Sequence, residues 1–88
     1  MRLVSQDGTF DVSYDCVVIV TNGCYIQAET SEKHYALATY SDEEKTEKVM
    51  KSMREEYVQY LTARSNEYFF SMVNPKVFQF PEDDEVEV

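Results

Sequence analysis

Residues 16–29 of this chain are CVVIVTNGCYIQAE, the stretch that decides the fold. The run from Cys16 to Val20 is almost entirely β-branched, which predicts a strand covered on both faces. Asn22-Gly23 is the strongest turn signal in the chain, because both central residues of the favoured hairpin turn need positive φ. Residues 25–29 then return as a second strand. The stretch therefore predicts a β-hairpin.

This hairpin also decides the expected state of the two cysteines. A turn at Asn22-Gly23 sets Thr21 opposite Cys24 and leaves Cys16 opposite Glu29. At about 3.3 Å per residue, the two sulfur atoms then lie roughly 15 Å or more apart. A disulfide needs Cα atoms within about 7 Å of each other. We therefore expect two reduced thiols, as is usual in a cytosolic protein.

Five further segments have the composition or alternation of strands: residues 2–5, 9–12, 35–40, 68–73 and 77–80. Asp7-Gly8 is a tight-turn dipeptide and predicts that the first two segments form a hairpin. Asn74-Pro75-Lys76 turns the chain between the last two, which predicts a C-terminal hairpin.

The segment after Ser41 predicts one long helix. Ser41 and Glu44 have the spacing of a capping box, in which each side chain accepts a hydrogen bond from a backbone N–H group at the helix start. The helix is expected to end near Ala63 or Arg64, after about 32 Å. Apolar residues recur along it at intervals of three and four, which indicates an amphipathic helix: Val49, Met50, Met53, Tyr57, Tyr60 and Leu61.

These elements predict an α+β fold, with an antiparallel β-sheet built of hairpins packed against one long amphipathic α-helix. The C-terminal hairpin and an acidic tail complete it. With 88 residues, one domain is expected over residues 1–81. Residues 82–88 form the acidic tail, or alternatively an edge strand.

The charge of the chain limits its partners. The formal net charge is −9 at pH 7, so direct nucleic-acid binding is not expected, because phosphate binding needs a basic footprint. An acidic surface could instead engage a basic protein, although solubility alone also accounts for the charge. No stretch approaches the ~20 apolar residues of a membrane span. The N-terminus has no signal-peptide core, so we expect a cytoplasmic protein without a membrane partner.

Catalytic chemistry is not expected. No nucleophile, base and orienting acid stand in a recognisable spacing, and both glycines are used in predicted turns. No cluster has metal-ligand spacing, so neither a metal nor a cofactor is expected. His34 stands alone and is interpreted as a surface or packing residue.

The stretch from Arg64 to Gln79 could bind a small anionic, aromatic ligand. A nucleotide needs a flat ring that stacks on its base, an amide that reads the base edge, and a cation for phosphate. The alternative is that the aromatic residues of this stretch are core or interface residues. Candidate ligand-binding residues are Arg64, Phe70, Asn74, Lys76 and Gln79.

Three segments carry a resemblance to a known family: residues 1–8 with 11–12, residues 38–41 with 43–45 and 47–50, and residues 78–88 with the sequence FQFPEDDEVEV. In them the chain resembles a family of small proteins encoded by phages and prophages of Gram-positive bacteria. It is similar to the first type of Thoeris anti-defence protein, a sponge that traps a cyclic ADP-ribose isomer without degrading it.

The resemblance implies a homo-oligomer, a dimer or larger, with ligand pockets at subunit interfaces in the host bacterial cytoplasm. By residue type, Phe70 would stack on the base, Asn74 would supply the amide, and Arg64 or Lys76 the cation. The chain departs from the family's pattern in its short connection from the helix to Phe78 and in Gln79, where an arginine would suit phosphate better. The alternatives are a phage inhibitor that binds a host defence protein through its acidic surface, and a structural phage protein.

Overall fold

The computed structural model describes residues 1–64 and 76–87, and within these ranges the side chains of all residues except 63 and 64. The elements are β1 (Arg2–Val4), β2 (Asp11–Ser13), a 3₁₀-helix (Tyr14–Cys16), β3 (Val18–Asn22), β4 (Tyr25–Glu29), β5 (His34–Thr39), α1 (Glu43–Arg64), β6 (Val77–Gln79) and a second 3₁₀-helix (Asp83–Glu85). The predicted α+β class is confirmed. No helix in the described ranges is apolar and long enough to cross a bilayer.

The first sheet has the order β2-β1-β6. β1 and β2 pair antiparallel, with Leu3 opposite Val12, so the predicted N-terminal hairpin is confirmed. β6 instead pairs with β1 in parallel, with Leu3 opposite Phe78. The expectation of a purely antiparallel sheet was therefore wrong at this pair. The predicted hairpin partner of β6, residues 68–73, lies outside the described residues.

The second sheet has the order β3-β4-β5 and is antiparallel throughout. Asn22 pairs with Tyr25, so the turn residues are Gly23 and Cys24 and the predicted turn at Asn22-Gly23 was wrong by one position. Gly23 has φ of 62°, and no residue other than glycine has positive φ in the described ranges. A type II′ turn fits these signs, because it needs positive φ only at its first central residue.

β3 also differs from its prediction. Residues 14–16 form a 3₁₀-helix, so the strand begins at Val18 and Cys16 lies outside the ladder. Ile19 packs against the core, but Val18 is 60% exposed. The prediction of a strand covered on both faces was therefore wrong, because an unbroken β-branched run does not distinguish a central strand from a strand at a sheet edge.

Gln6 joins the two sheets. Its backbone N–H donates to the Leu37 carbonyl at 2.7 Å. Its side-chain Oε1 accepts from the Thr39 N–H at 3.1 Å, while Nε2 donates to the Thr39 carbonyl at 3.1 Å and to the Pro81 carbonyl at 3.0 Å. The amide side chain therefore bonds to β5 as a neighbouring strand would, because it pairs with both the N–H and the C=O group of Thr39.

The core lies between the sheets and one side of α1. Its most deeply buried large residues come from both sheets, α1 and the segment after β6: Leu3, Ile26, Leu37, Met53 and Phe80. Val49 and Met53 of the predicted apolar stripe are buried, and Met50, Tyr57 and Tyr60 pack against the core. Leu61 is largely exposed, so the stripe leaves the core before the helix ends.

The start of α1 is capped by a residue other than the predicted one. The Asp42 carboxylate accepts a hydrogen bond from the Lys45 N–H at 2.8 Å, which is the N-cap interaction. The Ser41 N–H donates instead to Asp83 Oδ1 at 2.7 Å. The predicted Ser41–Glu44 capping box was therefore wrong, because the C-terminal segment engages Ser41.

Candidate functional site

Two of the five predicted ligand-binding residues have described side chains. Lys76 lies just before β6, and its Nζ is 3.8 Å from Glu56 Oε2 on α1. Gln79 ends β6, and its Nε2 donates to the Ser5 carbonyl at 2.6 Å. Arg64 is the last residue of α1, but its side chain lies outside the described part, as do Phe70 and Asn74. Their convergence into one site stays a prediction.

Gln79 lines an open groove between α1, β6 and the C-terminal segment. The groove has a volume of about 390 Å³, within the roughly 300–1,000 Å³ of small-molecule sites. Val49, Phe78 and Pro81 form its apolar part, and Lys48 and Ser52 contribute an ammonium and a hydroxyl from α1. The α1 side of the groove therefore offers hydrogen-bond donors beside an apolar patch.

The charge along this groove is mixed. The Lys48 ammonium donates to the Glu87 carbonyl, and the Glu85 and Glu87 residues line the same groove. An anionic group would be attracted to Lys48 and repelled by the two carboxylates. A ligand that fits would therefore carry its negative charge on the α1 side of the groove.

Sequence reasoning missed Lys48 and Ser52. They are four residues apart and so lie on one side of α1, and neither belongs to its predicted apolar stripe. No local pattern distinguishes them from other exposed helix residues. They belong to a groove only because the C-terminal segment packs beside them.

The C-terminal segment is held against the helix start. The Asp83 carboxylate accepts from the Ser41 N–H, and Lys45 Nζ donates to the Asp83 carbonyl at 2.8 Å and lies 3.3 Å from Asp83 Oδ2. Val86 is buried. The segment forms a 3₁₀-helix with a Glu82–Glu85 capping box, so the alternative prediction of an edge strand was wrong.

These contacts predict a pH dependence of stability. The hydrogen bond from Ser41, and then Lys45, hold the pKa of Asp83 below its ordinary value. Because the folded-state pKa is depressed, the stabilisation is complete above the unfolded pKa of about 3.9 and is lost as pH falls through the folded pKa. We expect Asp83→Asn to have a lower Tm than the parent at pH 7, with the difference shrinking below pH ~4. A difference that stays constant from pH 7 to pH 2 would contradict this.

The other potentially reactive side chains of the described residues do not line this groove. His34 Nδ1 lies 3.1 Å from Glu29 Oε1, and the His34 side chain is 69% exposed. Cys16 and Cys24 are free. The Tyr57 hydroxyl donates to the Asp15 carboxylate, which raises the pKa of Tyr57. Among the described residues, no group of three or more His, Cys, Asp or Glu side chains could hold a metal ion.

The fold and the groove thus define a small α+β protein with a candidate small-molecule groove beside an acidic C-terminal segment. No protein family, curated protein or solved structure matches this chain.

Proposed function

We propose that this chain is a phage-encoded anti-defence sponge, which binds and sequesters a cyclic nucleotide immune signal in the host bacterial cytoplasm without catalysis. The signal would be a cyclic ADP-ribose isomer or a cyclic oligonucleotide. The sequence resemblance supports the phage family. The observation that carries the ligand class is the groove, which Gln79, Lys48 and Ser52 line together with Phe78 and Pro81.

The chemistry of the groove suits part of a nucleotide. An ammonium pairs with phosphate as a point charge, and an amide can both donate to and accept from a base edge. Phe78 is almost fully buried, so it leaves little ring surface on which a base could stack. The stacking ring in this proposal is Phe70, with Asn74 and Arg64 or Lys76 beside it, as the resemblance implies.

Thermal melting with a panel of cyclic ADP-ribose isomers and cyclic oligonucleotides tests the sponge. A ligand at a hundred times its dissociation constant stabilises the fold by about 2.7 kcal/mol, which raises Tm by several degrees for a domain of this size. We expect one class of ligand to raise Tm selectively and to be recovered unchanged. If the protein is folded and no ligand of the panel raises its Tm, the sponge proposal is wrong.

Variants then locate the site. We expect Lys48→Ala to lose most of the ligand-induced shift. Lys51→Ala is the matched control, because Lys51 is also on α1 but lies outside this groove and pairs with Glu55 on the exposed helix surface. If Phe70→Ala and Lys76→Ala lose the shift while Lys48→Ala keeps it, the ligand is held by the predicted stretch and not by the groove.

A second candidate function has its own supporting observation. The Asp83 contacts with Ser41 and Lys45 bring the acidic tail against the acidic start of α1, which forms one strongly negative surface. Such a surface suits direct inhibition of a basic host defence protein. Two results together would favour this alternative: no ligand of the panel raises Tm, and the chain captures a defence protein with an affinity that falls steeply as the salt concentration rises.

A further inference from the structure

In the part of the chain that the structure describes, the two sheets have four outer edges, and three of them carry features that block pairing with another chain. The outer edge of β5 is bonded to Gln6. β2 is three residues long, and its Asp11 pairs with Arg2 at 2.8 Å. β6 is three residues long and lies between Lys76 and Phe80-Pro81. Short length, charge and proline are the usual protections of an edge strand.

β3 has none of these protections. It is five residues long, Val18–Asn22, and contains no charge and no proline. It lies within the longest uncharged run of the sequence, from Cys16 to Ala28. In a chain of net charge −9, two copies repel each other, and this repulsion is smallest at a surface that carries no acid.

The turn after β3 determines which of its backbone groups face outward. Asn22 and Tyr25 close the two-residue turn as a hydrogen-bonded pair. Because hydrogen-bonded and non-hydrogen-bonded pairs alternate in an antiparallel ladder, Val20 and Val18 also bond to β4. Ile19 and Thr21 therefore direct their N–H and C=O groups away from the sheet. No other residue in the described ranges bonds to these groups.

We propose that β3 is the interface between two copies of this chain, paired antiparallel across a twofold axis at Val20. In this register every residue of β3 has a partner. Ile19 exchanges both backbone hydrogen bonds with Thr21 of the partner subunit, and Val20 stands opposite its own copy. The two three-stranded sheets join into one continuous sheet, and the exposed Val18 side chain packs beside Asn22 of the partner subunit.

The first test is the mass in solution by sedimentation equilibrium. We expect the parent protein to sediment at twice its monomer mass of 10.3 kDa. Val20→Lys should sediment as a monomer, since like charges directly opposite each other on neighbouring strands are destabilising. The matched control is Gln27→Lys, which adds the same charge opposite Val20 on the central strand β4 and should stay dimeric. A monomeric parent, or a dimeric Val20→Lys, would overturn the proposal.

A cross-linking test does not depend on the lysine variant folding. In a Cys16→Ser, Cys24→Ser background, Val20→Cys brings two thiols to a non-hydrogen-bonded pair, whose Cα atoms are about 4.5 Å apart, within the range of a disulfide. Mild oxidation should give a covalent dimer that a reductant reverses. Gln27→Cys in the same background should give little covalent dimer, because the two residues at position 27 of the dimer are two strand spacings further apart than the residues at position 20. Equal cross-linking of both variants, or none at Val20→Cys, would refute the register.

Discussion

Replacing Phe80 by alanine is expected to lower the free energy of unfolding by about 3–5 kcal/mol. Phe80 is 1% exposed, and its ring meets the Phe78 ring edge to face, with centroids 5.1 Å apart. Its N–H donates to the Val4 carbonyl at 3.1 Å, so the side chain is held at the point where β6 leaves β1. Alanine would leave a cavity where the sheet, α1 and the C-terminal segment meet.

Urea unfolding followed by far-ultraviolet circular dichroism measures this loss. Because a small domain is stable by only about 5–15 kcal/mol, we expect a large fall in the transition midpoint and partial unfolding without denaturant. Val77→Ala is the control, since Val77 is in the same strand segment but is 53% exposed. If Phe80→Ala unfolds at the same urea midpoint as the control variant, Phe80 is not a core residue.

The second large effect is expected at Gln6. Gln6→Glu should destabilise the fold by about 1–2 kcal/mol, because an acceptor replaces the donor that bonds two carbonyls. A buried group left unsatisfied costs roughly 1–3 kcal/mol, and these two bonds are exposed and part-buried. The introduced carboxylate would face the carbonyls of Thr39 and Pro81, to which Nε2 now donates. Only the bond from the Thr39 N–H would survive.

The same unfolding experiment, with two further variants, separates charge from hydrogen bonding. Gln27→Glu adds an equal charge on β4, where Gln27 stands opposite Val20 and Ala36, and should shift the midpoint little. Gln6→Ala removes all three side-chain bonds without adding charge. We expect Gln6→Glu to be at least as destabilised as Gln6→Ala. A stability of Gln6→Glu close to that of the parent would mean that Gln6 does not join the sheets.

Parts of the candidate site could be predicted from the sequence and parts could not. Gln79 was selected for its amide, and it does line the groove. Lys76 was selected for its charge, but its ammonium lies near Glu56, and a cation paired in this way attracts an anion less. Lys48 and Ser52 were missed because residue type alone does not indicate which exposed helix residues face a groove.

What the sequence by itself determined is local. Gly8 and Gly23 adopt the positive φ of 77° and 62° that turns require, and the three- and four-residue spacing of Val49 and Met53 predicted α1 and its buried side. Only the tertiary structure decided the turn position after β3, the parallel pairing of β1 with β6, the Gln6 bridge and the fold of the C-terminal segment. These features join residues up to 75 positions apart, and no periodicity of neighbouring residues encodes such a contact. Burial and backbone hydrogen bonding select among the pairings that the local patterns leave open.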